Sequence, residues 1–106
     1  MAFYLVSARP LADRLEELET KLNQRAFLEL RPFGRSLTGS LESARRMADG
    51  TAIWEEEDYC RPPLAQEREA VLDRYFEDIS VEPVQRGHGW ERIEQLPPLF
   101  PALARS

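Results

Sequence analysis

The sequence predicts a ferredoxin-like α+β fold: βαββαβ, a four-stranded antiparallel sheet with two helices on one face, plus a C-terminal extension. Two observations lead there. Strand-like and helix-like segments alternate in the order β-α-β, then β-α-β, with right-handed crossovers that place both helices on one side. Pro32 and Pro83 fall in the second and fourth strands, the edges of that arrangement, where a missing ladder donor is tolerated, and the central pair contains no proline.

Each element has its own signal. Ala2 to Ala8 opens with Phe3, Tyr4, Leu5 and Val6, an apolar run suited to a strand covered on both faces. Pro10 suits a first helical turn, and Leu11, Leu15, Leu18 and Leu22 then recur at helical spacing as far as about Arg25. Leu28 to Phe33 alternates apolar and polar residues and reads as the second strand. Gly34 to Gly50 reads as a loop with a short helix at Leu41, Ala44 and Met47. Thr51 to Tyr59 is the third strand, with a strongly acidic far end. From Pro63 to about Asp78, Leu64, Val71, Leu72, Tyr75 and Phe76 define a second amphipathic helix, and Ile79 to Val84 supplies a short fourth strand. Residues 1–84 are thus the expected core, and residues 85–106 a proline-containing segment packed on it. Trp90, Ile93, Leu96, Leu99 and Phe100 would be costly to leave in water.

The chain has 106 residues, 14 Lys plus Arg against 19 Asp plus Glu, a net charge of −5 and one cysteine, which suits a single acidic domain. The acidic balance and the lack of a basic stripe disfavour nucleic acid. No segment approaches the ~20 apolar residues of a membrane span, and no signal peptide is read, so no membrane contact is expected. A lone Cys60 requires no oxidising compartment, and the expected location is cytoplasmic.

The most conspicuous feature is Glu55-Glu56-Glu57-Asp58. In an extended chain Glu55 and Glu57 share one face, and Glu56 and Asp58 share the other with Trp54. Two carboxylates per face offer an acid and a base, or oxygens for a hard cation. The plainer alternative is that they are solvated, or paired with Arg45, Arg46 and Arg61. Carboxylates on one strand lack encircling ligands, so neither metal nor cofactor is expected. Cys60 precedes a proline-initiated helix, which favours a thiolate, but the neighbouring acids oppose it. His88, the only imidazole, sits between two glycines in a loop where it could serve as general acid or base. There is no P-loop, no G-x-G-x-x-G after a strand and no G-x-S-x-G.

The functional expectation is a small acidic binding or regulatory module acting through protein contacts or self-association. Its candidate contact residues are Trp54, Trp90, Arg45 and Arg46. The alternative is a small enzyme with a cleft, drawing on His88 with a carboxylate of the Glu55 to Asp58 run, Glu55 or Glu57, and on Cys60. Both faces of the central strands are apolar and two helices cover only one of them, so the other needs either the C-terminal segment Trp90 to Leu103 as a strap or a second copy of the chain; a homodimer is expected, with the tail completing its edge.

Overall fold

The computed structural model describes residues 2–104 of the chain. The elements in order are β1 (Ala2–Pro10), α1 (Leu15–Asn23), α2 (Gly34–Glu42), β2 (Arg45–Arg46) and β3 (Ala52–Asp58). After these come α3 (Ala65–Glu67), a π-helical turn (Arg68–Leu72), α4 (Asp73–Tyr75), β4 (Phe76–Val84), α5 (His88–Ile93) and α6 (Pro101–Ala104). The strands form one antiparallel sheet in the order β2-β3-β1-β4, with β1 and β3 paired from Ala2↔Asp58 to Ala8↔Ala52. The molecule is therefore α+β with a four-stranded antiparallel sheet. No helix among the described residues is long and apolar enough to cross a membrane.

The second strand is not where the alternation of Leu28 to Phe33 placed it. That segment turns tightly, with Leu28 N–H donating to Arg25 O and Leu30 N–H to Phe27 O, and Phe27 just before it and Phe33 at its end plug the core. Pro32 lacks a donor, so a ladder there would be broken, and α2 begins at once with Gly34. A side chain at Gly34 would run into the Phe27 carbonyl, so only glycine lets α2 start so close to the turn. The strand itself is the two-residue β2, formed by Arg45 and Arg46 opposite Ile53 and Ala52.

One face of the sheet carries Val6, Ala8, Ala52 and Trp54 into a core with Leu18 and Leu22 of α1, Leu37 and Leu41 of α2, and Val71, Leu72 and Tyr75. Each large side chain buried there contributes roughly 1.5–3 kcal/mol. The opposite face presents Leu5 and Ile53, which pack against Ile93 of α5 with Trp90 and Leu96 alongside. After α5 the chain rounds the β2 edge. Arg46 N–H donates to Pro97 O and Leu99 N–H to Ala44 O, both at 2.8 Å, and Leu99 and Phe100 rejoin the main core. Pro97 serves as an acceptor here and Pro98 pairs with Arg45, so the prolines do not prevent the tail from joining the edge of the sheet.

Candidate functional site

The acidic run is not a solvated strand end. β3 is central, so Glu55, Glu56 and Asp58 are buried on one face or the other, and only Glu57 is half-exposed. None of the ion pairs among the described residues involves Arg45, Arg46 or Arg61. Arg45 donates instead to the Leu96 carbonyl at 2.7 Å, fastening the tail, while Arg46 is exposed.

Glu55 points to the face covered by α5. Its carboxylate accepts hydrogen bonds from the backbone N–H groups of Gly87 (2.8 Å), Gly89 (2.8 Å) and Trp90 (3.2 Å). These are donors that a helix start leaves without intrahelical partners, so Glu55 secures α5 to the sheet. Gly89 is required by the same contact, because a Cβ there would lie 2.8 Å from Glu55 Oε1. His88 is on this helix and exposed, on the opposite side of the sheet from Glu56 and Asp58. Trp90 is half-buried beside it, and Trp54 is fully buried in the main core.

The other face is chemically different. A cavity of ≈ 490 Å³ opens where the end of β3 meets the start of α2 and the α3 turn, lined by Phe33, Arg35 and Tyr59 together with Asp58, Cys60 and Glu67. Asp58 Oδ2 accepts from Leu64 N–H at 2.6 Å and from Cys60 N–H at 3.2 Å. Leu64 is held at φ 64°, a left-handed conformation that costs a non-glycine residue on the order of 1 kcal/mol, and its burial with the Asp58 bond offsets this. Glu67 leads directly into the π-helical turn, a local irregularity found often at functional sites. The Cys60 thiol lies 3.8 Å from Glu67 Oε1, and the donor atoms of Asp58, Cys60 and Glu67 all fall within 4.8 Å of one another. Behind them Glu56 Oε1 accepts from Trp54 Nε1–H at 2.9 Å. The second oxygens of both Glu56 and Glu67 are buried without a hydrogen-bond partner.

These surroundings set the protonation states. Burial, with the nearby Glu67 and Asp58 charges adding to it and the Trp54 bond opposing, pushes Glu56 up to about 8. Burial and the Asp58 carboxylate push Glu67 up to about 7. Burial also works to raise Asp58, but hydrogen bonds from Leu64 N–H, Glu67 and Cys60 prevail and hold it below the ordinary aspartate value. The bond from Gln66 N–H favours the Cys60 thiolate, yet burial and the Asp58 charge outweigh it and raise the thiol. Near neutral pH Asp58 is thus ionised, Glu67 is divided between its two forms, Cys60 is a thiol, and Glu56 behind them is mostly protonated.

Of the residues singled out in the sequence, Cys60 and Glu57 line this cleft, whereas Glu55, His88 and Trp90 lie on the other face and Trp54 lies beneath it. Asp58 belongs to the run but takes a larger part than any single acid was assigned. Glu67 is not among the residues singled out in the sequence, and it is 1% exposed. Comparison with protein-family models, curated proteins and solved structures returns no match to the chain.

Proposed function

We propose that the chain is a small binding domain whose cleft at the end of β3 receives a cation. The observation that carries this reading is the buried cluster of Glu56, Asp58 and Glu67, in which the second oxygens of Glu56 and Glu67 have no partner other than neighbouring carboxyl groups. Buried polar groups normally find partners, and those that do not mark places where a partner is to arrive. The net charge of −5 adds a favourable long-range field for a cation. The test is an amide-resonance titration with Zn²⁺, Ca²⁺ and benzylamine in turn. Saturable shifts centred on Asp58, Cys60, Leu64 and Glu67 are expected for at least one of them. Shifts scattered over the acidic surface, or none, would refute the reading.

Catalysis through His88 draws less support, since Glu55 is engaged by three backbone donors and His88 is exposed on the far face. A second reading, self-association into a homodimer, is favoured by one observation. β4 is a nine-residue outer strand with no strand beyond it among the described residues, and it carries Val81 at 37% exposure. Light scattering that finds only monomer across the accessible concentration range would remove it. The strand order β2-β3-β1-β4 supports assignment to the ferredoxin-like class, and a functional Cys60 thiol suits a reducing compartment such as the cytoplasm.

A further inference from the structure

Resting on the cation-binding reading, we propose that Asp58, Cys60 and Glu67 form a site for a thiophilic divalent metal of the Zn²⁺ type, with a fourth position facing the cleft. The expectation of no metal assumed ligands from a single strand. The fold instead brings Asp58 from the end of β3, Cys60 from the turn that follows and Glu67 from α3. Bond lengths of about 2.0–2.3 Å put tetrahedral Zn²⁺ ligand atoms about 3.3–3.6 Å apart. Donor atoms already within 4.8 Å of one another reach that spacing by small side-chain movements. Glu67 Oε2, which meets no donor other than neighbouring carboxyl groups in a residue 1% exposed that lines the cleft, is the second and separate sign that a ligand is lacking.

The donor set selects the metal. One sulfur with two carboxylates suits a borderline ion such as Zn²⁺ or Co²⁺, whereas Ca²⁺ seeks six to eight oxygens and Mg²⁺ an octahedral oxygen shell. Glu56 lies behind Glu67 and is itself oriented by Trp54, so it stands where an outer-sphere partner fixes a ligating carboxylate. Cys60 is half-buried and lines the cleft, which gives the ion access.

The experiment uses the full-length reduced protein. Zn²⁺ is titrated by calorimetry against a competing chelator, and Co²⁺ by absorbance, where a near-ultraviolet charge-transfer band reports thiolate ligation. One equivalent of each metal should bind, the Co²⁺ band should appear, and Zn²⁺ should protect Cys60 from iodoacetamide. Cys60→Ser should abolish the band, and Cys60→Ser and Glu67→Gln should each weaken Zn²⁺ binding by at least about tenfold, the loss that removing even an outer-sphere partner causes. Protection from alkylation is read on the unaltered chain and needs no variant to fold. The proposal is overturned by absent Zn²⁺ binding, by Co²⁺ binding without the band, or by affinity unchanged in both variants. If Ca²⁺ or benzylamine still shifts the cleft resonances while Zn²⁺ does not, the cation-binding reading stands and the metal assignment falls.

Discussion

Glu55 and Glu56 are consecutive residues of one strand, both buried, at 4% and 1% exposure, and they face opposite sides of the sheet. Glu55 meets the start of α5 and accepts three backbone hydrogen bonds, whereas Glu56 meets one indole N–H and a second carboxyl group. Residue type and burial are the same, so the difference lies in what the covering element brings. Where it brings donors, the acid becomes a fastener. Where it brings more acid, the buried carboxyl group holds a proton instead, beside an open cleft, in the manner of a site kept for a ligand.

The largest test of this contrast removes the cover of the Glu55 face. Truncation after Val84 takes away α5 together with Leu99 and Phe100, several large buried side chains at roughly 1.5–3 kcal/mol each against a typical total stability of about 5–15 kcal/mol. The truncated chain should bind a hydrophobic dye, aggregate in light scattering and lose cooperative unfolding. A monomeric truncated chain that binds no dye would show that this face needs no cover.

Next in size is a pH effect from the Glu56 face in the metal-free protein. Glu56 and Glu67 have folded values raised to about 8 and about 7, so the folded state holds protons that the unfolded chain has released. Their contribution is fully present below pH ~4.5 and is lost as pH rises through those two values. Asp58, lowered, acts the other way and matters only in acid. Urea midpoints measured with chelator at several pH values should fall between pH ~4.5 and 8 by the equivalent of a few kcal/mol, and Glu56→Gln should flatten the fall. A flat profile in the unaltered protein would mean that the buried carboxyl groups are not protonated as described.

Paired amide substitutions compare the two acids directly. Glu55→Gln sets an amide N–H₂ against backbone donors and should cost about 2–3 kcal/mol in urea unfolding at pH 7. Glu56→Gln keeps an acceptor for Trp54 and gives a donor toward Glu67, so it should cost less than about 1 kcal/mol. Equal losses would erase the distinction. Smallest of all is Tyr59→Phe, which removes a 2.8 Å bond to Glu57 from a side chain on a residue 66% exposed and should change stability by less than about 0.5 kcal/mol.

The strands that were legible in the sequence were those whose neighbours also left a mark. Phe3 to Val6 reads as doubly covered because it is, and Pro83 falls on the outer strand β4. Leu28 to Phe33 misled because an alternation of four residues also suits successive tight turns that plug a core, and local periodicity cannot tell them apart. Solvation or arginine pairing is the plainer expectation for the acids because charge is usually exposed, although placing them on a central strand already implies burial. Glu67 had a signal too: it stands three residues after Leu64 and four before Val71, within the apolar stripe of its own helix. A carboxylate in that stripe has to be paired, protonated or bound. What no spacing conveys is that this stripe and the end of β3 meet at Cys60, since that depends on a left-handed turn at Leu64 that nothing in leucine announces.

The path of the tail around β2 has a consequence for biosynthesis. β2 is two residues long, and its outer neighbour is the segment around Pro98, more than fifty positions later; Leu5, near the start, waits for Ile93. On the ribosome, β1 and β3 can pair long before residues 93–100 have emerged, and until then the Leu5 and Ile53 face has no cover. Final closure is therefore a late, long-range event, slow relative to local helix formation and exposed to capture by other nascent chains or chaperones. The brevity of β2 limits that hazard, because two residues offer a stray strand very little edge to extend while the proper neighbour is still being made.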